Sequence, residues 1–413
     1  MMFTPSRLQA LLSATLAPAL LLAAVSCGPP PVPPGMIQPD GDGDGFSDNQ
    51  GDCNDDDATV YPGAEDFFGD GVDQDCSGAD GVDVDKDGYP DRAFGGDDCN
   101  DTDPKINPGA KEIGWDEIDQ NCDGVDLKDY IEIDAGEKHT CAISSKGNIQ
   151  CWGDSEFDQL RAPSEGVWRE IGQGALFGCA IDVDGYIECW GDDSFGQVSD
   201  APTTAGWRNL SVGHNSACAI DSTTDLLDCW GFDYDDSLPN ADPSWGIVSA
   251  YKDDVQYARV AVGQYHACAI TKAKGAVDCW GMPGPSGEDW SREPVAEFNI
   301  DYLTVTAGAD STCAIKGNRG INCWGVNKFG QVNPPDDTGP YYHHDNFWKH
   351  ACAIKHATDI VCWGDDKYSQ VGQAPKTGSW KRVTVGKEHT CALSDVGAIT
   401  CWGRNDKGQT DAP

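Results

Sequence analysis

One pattern recurs seven times between residues 130 and 413, and it constrains the fold more than any other feature of the sequence. Each copy contains Cys-Ala-Ile or Cys-Ala-Leu, followed by a Cys-Trp-Gly whose cysteine lies 10 or 11 positions after the first. An aromatic residue precedes the first cysteine by 11 positions in every copy. Repeats of 38 to 50 residues with strand-like composition are typical of propeller blades. The aromatic residues are Tyr130, Trp168, Trp207, Tyr257, Tyr302, Tyr341 and Trp380.

The alternation within one repeat predicts a hairpin that is apolar on both faces. Because side chains alternate along a strand, Cys141, Ile143 and Cys151 share one face, and Trp152 points to the other. A sheet with two apolar faces must be covered on both sides, and neighbouring blades in a closed ring provide that cover. The sequence therefore predicts an all-β protein with a seven-bladed β-propeller over residues 130–413.

The cysteines fall into regular pairs once Cys27 is set aside, which leaves 18 of the 19. The two cysteines of each repeat face each other across the hairpin at a distance that a disulfide can bridge. Zinc is the weaker alternative, because it favours CxxC clusters that this sequence lacks. The predicted disulfides are Cys53–Cys76, Cys99–Cys122, Cys141–Cys151, Cys179–Cys189, Cys218–Cys229, Cys268–Cys279, Cys313–Cys323, Cys352–Cys362 and Cys391–Cys401.

Residues 40–129 form a strongly acidic segment, with 29 Asp and Glu against 5 Lys and Arg. The formal net charge of the whole chain is −41, which argues against nucleic-acid partners because phosphates would be repelled. The segment consists of two repeats, residues 40–80 and 83–126. Each begins with Asp at positions 1, 3, 5 and 9 and Gly at position 6, the first half of an EF-hand-type calcium loop. The position-12 Glu is missing, since Gly51 and Phe94 stand there.

Further acidic residues in each repeat predict the remaining metal ligands. The segment has too few apolar residues to fold by burial alone, and a disulfide with a bound metal is the usual substitute. An unliganded acidic spacer is the alternative. All-oxygen ligands suit calcium, which we expect as the cofactor. The predicted ligands are Asp40, Asp42, Asp44, Asp48, Asp52, Asp55, Asp57, Asp73, Asp75, Asp83, Asp85, Asp87, Asp91, Asp98, Asp101, Asp103, Asp119 and Asp123.

The order of these acidic elements resembles the metal-binding motif named after the copper protein MopE, and the half-loops resemble those of thrombospondin type 3 and dockerin repeats. The name MopE implies copper, but the residues favour calcium. No His precedes His139, and no Met lies between Met36 and Met282.

The N-terminus has the features of an export signal. Arg7 precedes a mostly apolar run, and Ala24-Val-Ser-Cys27 resembles a bacterial lipoprotein signal. We therefore predict a signal peptide over residues 1–26, lipidation of Cys27 and a Pro-rich tether over residues 27–39. Ordinary secretion is the alternative. The expected location is the bacterial cell envelope, as an outer-membrane lipoprotein that faces the surface or the periplasm and contacts the membrane only through its lipid anchor.

The blade sequence also resembles a known repeat. The motif Gly136-Glu-Lys-His139-Thr-Cys141-Ala-Ile, followed by Gly147 and Cys151-Trp-Gly, resembles the regulator of chromosome condensation (RCC1) repeat. Phe195-Gly-Gln197 and its equivalents complete the pattern. The resemblance implies an RCC1-type propeller, in which the cysteine pairs mark an exported variant. It implies protein recognition by loops on the propeller faces, and it leaves the partner open.

The sequence contains no nucleophile motif, Gly-rich phosphate loop or HExxH, so we expect a binding protein rather than an enzyme. Most repeats have 14 or 15 residues between Cys-Trp-Gly and the next aromatic residue. Two insertions break this spacing, because 25 residues follow Gly231 and 20 residues follow Gly281 before that aromatic residue. Insertions on repeat scaffolds often form binding loops, although tolerated decoration is the alternative. The candidate partner-binding residues are Tyr234, Trp245, Tyr251 and Trp290.

The sixth repeat departs from the others, with polar residues in a segment that is apolar in the last repeat. His343, His344 and His350 either form a metal or ligand site or mark a locally distorted blade, and distortion is the favoured interpretation. The recurring Gly-x-x-His histidines, His139, His266 and His389, are interpreted as structural. We expect a monomer that binds an extracellular protein or glycan. The alternatives are a propeller-fold hydrolase or lyase, or a purely structural surface component.

Overall fold

The computed structural model describes residues 39–413 except 68, 79, 115, 117, 125, 126, 128, 234–245 and 282–300. Residues 1–26, Cys27 and nearly all of the tether lie outside the described residues. None of the helices in the described part is long and apolar enough to span a membrane. The chain divides into two compact units, residues 1–108 and 109–413, each described here by itself.

Asp129, the last residue of the acidic segment, is bonded to the first blade. Ser145 donates its backbone N–H to the Asp129 carbonyl at 2.9 Å and its hydroxyl to an Asp129 carboxylate oxygen at 2.6 Å. The end of the second acidic repeat therefore belongs to the same compact unit as the propeller.

The described residues form seven three-stranded antiparallel sheets, each made of consecutive strands. Two short 3-10 helices, Asp48–Gln50 and Arg92–Phe94, precede them. The strands are β1 Tyr130–Ala135, β2 His139–Ser144, β3 Ile149–Gly153, β4 Trp168–Gln173, β5 Phe177–Asp182, β6 Ile187–Gly191, β7 Trp207–Val212, β8 Ser216–Asp221, β9 Leu227–Gly231, β10 Tyr257–Val262, β11 His266–Thr271, β12 Val277–Gly281, β13 Tyr302–Ala307, β14 Ser311–Lys316, β15 Ile321–Gly325, β16 Tyr341–Asn346, β17 His350–Lys355, β18 Asp359–Gly364, β19 Trp380–Val385, β20 His389–Ser394 and β21 Ile399–Gly403.

The seven sheets are the blades of a closed ring. The first strands contact one another in the order β1, β4, β7, β10, β13, β16, β19 and back to β1. They therefore surround a central channel, and the seventh blade packs against the first. The all-β, seven-bladed propeller that the repeats predict is confirmed.

The core consists of similar clusters between neighbouring blades. In the first of them, Cys141 and Ile143 of blade one pack against Trp168, Ile171 and Trp190 of blade two. The cysteine face of one blade is thus covered by the tryptophan face of the next, as the two apolar faces of the hairpin require. This burial of apolar surface is the main stabilising contribution to the ring.

The Cys-Trp-Gly and Gly-Gln motifs meet at each junction between blades. The Trp190 indole N–H donates to the carbonyl of Gln159 in the preceding blade at 2.9 Å, and Trp152 donates to Gln409 at 3.1 Å across the junction of blades one and seven. The glycine permits a sharp end to the third strand. Gly153 has φ +110°, and a Cβ there would lie 2.5 Å from the Lys138 carbonyl oxygen.

Each blade carries one disulfide between its second and third strands, with Cα atoms 4.0–4.1 Å apart. The paired cysteines are directly opposite in the ladder, as Cys141 and Cys151 illustrate. In the acidic segment Cys53 and Cys76 are bridged, and Cys99 and Cys122 are also disulfide-bonded. The hairpin disulfides are Cys141–Cys151, Cys179–Cys189, Cys218–Cys229, Cys268–Cys279, Cys313–Cys323, Cys352–Cys362 and Cys391–Cys401.

The Gly-x-x-His histidines are buried links between blades. His139 Nε2 lies 2.9 Å from Gln173 Oε1 of the next blade, and His389 Nε2 lies 2.9 Å from Thr140 Oγ1, where the ring closes. Burial lowers the pKa of His139 to about 4, so the ring is neutral at physiological pH. These histidines therefore serve packing and closure of the ring.

Candidate functional site

The acidic half-loops share one pattern of hydrogen bonds. Asp40 accepts the backbone N–H groups of Gly43 at 2.6 Å and Gly45 at 3.0 Å, and Asp83 accepts those of Lys86 at 2.7 Å and Gly88 at 2.9 Å. Asp73 and Asp119 make a similar pair of bonds in the second half of each repeat, but they accept the N–H groups four and five positions ahead instead of three and five. The first aspartate therefore curls each loop and brings the following carboxylates together.

Four groups of aspartates place one carboxylate oxygen each within 4.8 Å of the others. The first two are the starting half-loops of the repeats, and a third is formed where the 98–101 segment returns to the 83–87 loop. The fourth includes Asp66, which is buried and was not among the predicted ligands. The groups are Asp40, Asp42 and Asp44; Asp83, Asp85 and Asp87; Asp85, Asp98 and Asp101; and Asp66, Asp73 and Asp75.

Asp85 lies at the centre of the second repeat's clusters. Both of its carboxylate oxygens are buried and have no hydrogen-bond partner among the described residues. Burial, and then the charges of Asp87 and Asp98, raise the pKa of Asp85 to about 6. One oxygen each of Asp42 and Asp52 is likewise buried without a hydrogen-bond partner in the described part of the chain. Buried carboxylates that repel one another and lack donors are arranged to hold a cation.

Several predicted ligands instead stabilise local turns. Asp57 accepts the backbone N–H and hydroxyl of Thr59 at 3.1 and 2.8 Å, and these bonds lower the pKa of Asp57. Asp91 accepts the backbone N–H of Ala93 and caps a 3-10 helix. Asp55 reaches the first loop by accepting the Gly41 N–H at 3.1 Å. The predicted ligands outside the four clusters are Asp48, Asp52, Asp55, Asp57, Asp91, Asp103, Asp119 and Asp123.

In each blade, one residue of the first strand lies opposite the first cysteine in the antiparallel ladder. These residues line the channel at the same height along its axis, which we call the first level. Asp134 and Asp345 lie at this level, with the Thr384 hydroxyl between them at 3.0 Å from Asp134 Oδ1 and 3.2 Å from Asp345 Oδ2. The Thr384 oxygen also accepts the Ala135 N–H at 2.9 Å. The hydroxyl has one proton, so it can donate to only one of the two carboxylates. A proton on the other carboxyl group completes the network.

The protonation of Asp134 beside Asp345 makes the stability of the propeller depend on pH. Burial and the charge of Asp345 raise the pKa of Asp134 to about 8, well above the value of about 4 in an unfolded chain. The folded state therefore keeps a proton that the unfolded state has lost, and stability falls as pH rises from about 4 to 8. We expect the free energy of unfolding of Asp134→Asn to gain on that of the wild type as pH rises from 5 to 8, because the amide has no proton to lose. Urea denaturation at both pH values measures this.

The exposed Asp395→Asn provides the matched control, which should leave the pH profile unchanged. Equal losses of stability for Asp134→Asn at pH 5 and pH 8 would contradict the shared proton.

Comparisons with known proteins agree with this geometry. A family model for the RCC1 repeat matches residues 130–159 and 380–409, which are the first and last blades. The chain folds as an RCC1-like propeller. Prp20p from Saccharomyces cerevisiae superposes with a TM-score of 0.51 at 14% identity, covering 68% of this chain and 83% of that chain.

Two plant receptor kinases share the fold of this RCC1-like propeller. The CR4 ectodomain from Physcomitrella patens has a TM-score of 0.53 at 17% identity, covering 67% of this chain and 74% of that chain. The ACR4 ectodomain from Arabidopsis thaliana has a TM-score of 0.53 at 20% identity, covering 68% and 98%. Such low identities establish the fold alone. No curated protein matches the sequence.

The acidic segment matches a second family model, a metal-binding motif described as Cu-binding MopE, at residues 52–81 and 98–126. The described clusters do not fit copper, because their donors are carboxylate oxygens and none includes a histidine. Cys99 and Cys122 lie close to Asp98, but both are disulfide-bonded and cannot act as thiolates. The donor set fits a hard cation.

The sixth blade of the RCC1-like propeller is regular, so the distorted-blade interpretation is wrong. β16 pairs with β17 in the same register, and with the same shift after its first residue, as in blades one and seven. Its polar side chains fit because they face the channel or its neighbours. His344 donates from Nε2 to the Cys313 carbonyl at 3.0 Å, and His343 lines the channel.

The three candidate histidines of this blade do not form one site. His350 is the sixth blade's equivalent of His139, and its Nε2 lies 2.9 Å from Thr390 Oγ1 of blade seven. The spacing of two residues before the first cysteine could have identified it from the sequence. His350 therefore lies apart from His343 and His344, which both line the channel, and it belongs with the structural histidines.

The two insertions leave adjacent blades from equivalent points, at Gly231 and Gly281. Part of the first insertion belongs to the core, because Ile247 is buried. Its backbone carbonyl accepts the Trp280 indole N–H at 2.9 Å, as the Gln159 carbonyl accepts that of Trp190 at another junction between blades. Tyr251 also packs against this hydrophobic cluster. Its side chain therefore contributes to the core, and only its remaining exposed surface is available for the predicted contact with a partner. The other candidates, Tyr234, Trp245 and Trp290, lie outside the described residues.

Proposed function

We propose that this protein is an exported lipoprotein of the bacterial envelope whose RCC1-like propeller binds an extracellular protein or glycan. The observation that carries the proposal is the departure of two enlarged loops from equivalent points of blades three and four. Equivalent points lie on the same side of the ring. Loops there present their residues together, as binding surfaces on repeat scaffolds do.

The proposed binding surface combines aromatic and acidic residues. Tyr234, Trp245 and Trp290 in the two insertions are residue types that anchor interfaces. The first insertion also contains Asp233, Asp235 and Asp236, and the chain carries a formal charge of −41. A basic partner, or one reached through bridging cations, therefore fits best.

Calcium is the cation that we propose for the acidic segment. Loops of alternating aspartates with a central glycine supply the oxygen ligands that calcium prefers, and calcium tolerates ligands from several segments. In the second repeat the 83–87 loop and the 98–101 segment converge in this way. Bound calcium would offset the repulsion among carboxylates such as Asp85 and make the segment a firm spacer between the lipid anchor and the propeller.

The anchor and the location rest on sequence features. The apolar N-terminal run ends in small residues before Cys27, and a Pro-rich stretch follows. Seven hairpin disulfides support an oxidising compartment, because such bonds persist outside the cytosol. We propose a binding role rather than catalysis. The candidate residues are aromatic residues of the kind that anchor protein interfaces, and the sequence contains no nucleophile motif.

Deletion of the two insertions tests the binding proposal. Removing residues 236–245 and 286–290, which include Trp245 and Trp290, restores the 15-residue spacing and keeps Ile247, which blade four needs for its core. We expect the shortened protein to fold normally by circular dichroism and to lose capture of partners from native envelope material and from a glycan array. The double substitution Trp245→Ala and Trp290→Ala is the control that keeps loop length. Unchanged capture by the shortened protein would show that the binding surface is elsewhere, and no specific capture by either form would favour a structural role.

A further inference from the structure

A second level of the channel is lined by residues that pair with the Ile or Leu two positions after each first cysteine. This residue is arginine in blades three, four and seven, histidine in blade six, threonine in blade five and glutamate in blades one and two. In chain order from blade one they are Glu132, Glu170, Arg208, Arg259, Thr304, His343 and Arg382. The chain has 69 acidic residues and only 28 Lys and Arg, so this concentration of cationic side chains does not follow from composition. It marks one end of the channel as chemically distinct.

Four of these residues line a cavity of about 260 Å³ at the end of the channel where the first strands begin. Its polar lining consists of Asn209, Arg259, Thr304, Thr306, Tyr342, His343, His344 and Arg382. No carboxylate is among the described residues that line it. A cavity of this size is smaller than a drug-sized pocket and admits a small group.

The lining groups present hydrogen-bond donors. Arg259 is exposed and makes no ion pair or hydrogen bond with any described residue. Arg382 contacts one carboxylate, with its Nη1 2.6 Å from Glu132 Oε1. Asn209 uses its side-chain oxygen to accept the Val260 N–H at 2.8 Å, which leaves its NH₂ group as a donor.

His343 adds a neutral donor to the two guanidinium groups. Burial, and then the charges of Arg382 and His344, hold the pKa of His343 well below its usual range. Its Nδ1 faces the Val383 N–H at 3.5 Å, so the ring proton resides on Nε2. The Arg259 side chain stays accessible but is partly desolvated in the channel, which lowers its pKa. The charges of Arg382 and Arg208 lower the pKa further, and Glu170 acts in the opposite direction, so like charges lie close together here.

The opposite end of the channel is closed by side chains from non-adjacent blades. His214 of blade three lies 3.6 Å from a Glu137 carboxylate oxygen of blade one, and its ring centre is 6.3 Å from that of Trp348 in blade six. Lys387 of blade seven lies over the Trp348 ring at 4.5 Å and contacts Glu137. These contacts span the opposite end of the channel, so we take the arginine end, where Arg259 is exposed, as the entrance for a ligand.

We propose that the arginine end of the channel binds a small oxyanion, a carboxylate or a phosphate group, with Arg259 and Arg382 as its charge partners and His343 and Asn209 as neutral donors. Arg382 is paired with Glu132, and Arg259 has no carboxylate partner among the described residues, so the two guanidinium groups keep one unmatched positive charge that an anion would stabilise. Arginine forks fit planar or tetrahedral oxyanions. None of the residues proposed for this site belongs to the two insertions, so it does not depend on the proposed function. Free phosphate and the carboxylate of an acidic sugar both present such an oxyanion, and the experiment distinguishes these two sources.

Isothermal titration calorimetry of the full-length, calcium-loaded protein tests the proposal with three probes: phosphate, glucuronate and neutral glucose. We expect phosphate or glucuronate to bind, glucose not to bind, and binding to weaken as salt is added. Arg259→Gln should weaken binding at least tenfold, because it removes the unpaired charge. Arg161→Ala is the matched control and should bind as the wild type does, because Arg161 is exposed, pairs with Asp158 among the described residues and does not line the cavity.

The comparison of Arg259→Gln with Arg161→Ala also tests whether the anion binds to the calcium ions instead of the channel. Both variants keep the acidic segment intact, so binding to calcium would be the same in the two. Circular dichroism should show that Arg259→Gln folds, as expected for a side chain without partners among the described residues. Equal affinity of Arg259→Gln and the wild type, or no binding of either anion to the wild type, would overturn the proposal. Anion binding that persists in the loop-deleted protein would show that the channel acts independently of the insertions.

Discussion

Removal of calcium with a chelator is expected to make residues 40–108 sensitive to protease while the seven blades remain resistant. Val60 and Ile106 are the buried apolar side chains among the described residues before Tyr130, so hydrophobic burial contributes little there. Without a cation, the carboxylates around Asp85 repel one another with their oxygens unpaired. Limited proteolysis with and without chelator, read by mass spectrometry, measures the effect. We expect the change in cleavage rate to be largest within the two repeats.

Single substitutions make this expectation specific. Asp85→Asn should weaken calcium binding at the second repeat by about tenfold or more, because Asp85 contributes to two clusters. Asp97→Asn, an exposed residue between the same loops and outside the clusters, is the matched control. If the segment shows the same cleavage pattern with and without chelator, calcium does not hold it together, and the unliganded spacer becomes the better interpretation.

Thr384→Val is expected to be the most destabilising conservative substitution in the channel, with a loss of about 3 kcal/mol in the free energy of unfolding. The substitution keeps the shape of the side chain but leaves the Ala135 N–H without its acceptor and removes the bridge between Asp134 and Asp345. These groups lie where blades six, seven and one meet. The ring should therefore open more readily at this point. Denaturation in urea at pH 6 measures the change.

Thr306→Val is the matched control, because Thr306 occupies the same level of the channel in blade five. Its hydroxyl makes one side-chain bond, to Asn346 Oδ1 at 2.5 Å, and no described backbone N–H depends on it. We expect a smaller loss for this variant. Equal losses for the two threonines would mean that closure of the ring does not depend on the Thr384 network.

The blade hairpins could be predicted from the sequence because their determinants are local. Cys141 and Cys151 lie opposite each other as a consequence of strand alternation and the length of the turn, and the same spacing recurs in each repeat. Trp152 had to face the other side for the same reason. The closed ring then follows, since no other arrangement covers both faces of seven similar sheets.

The channel could not be predicted in the same way, because its composition depends on which strand of each blade faces the centre. Polar residues in β16 suggested a defect in a core strand, whereas this strand lines the channel, where a polar side chain such as His343 is tolerated. Asp66 was missed for a related reason. It lies outside the alternating aspartate pattern and reaches its cluster only through the fold of the repeat, where it accepts N–H groups of Gln74 and Gly81.

The placement of the hairpin disulfides bears on how the chain acquires them. Each first cysteine has its partner 10 or 11 positions ahead, while the next cysteine of a following blade is at least 28 positions beyond that partner. Loop-closure entropy favours the shorter loop by about 1 kcal/mol before any blade has formed. The correct pair is therefore the one that an unfolded chain meets most often during oxidation. Each blade can be oxidised as it enters the compartment, with no need for the rest of the ring or for extensive reshuffling of wrong pairs.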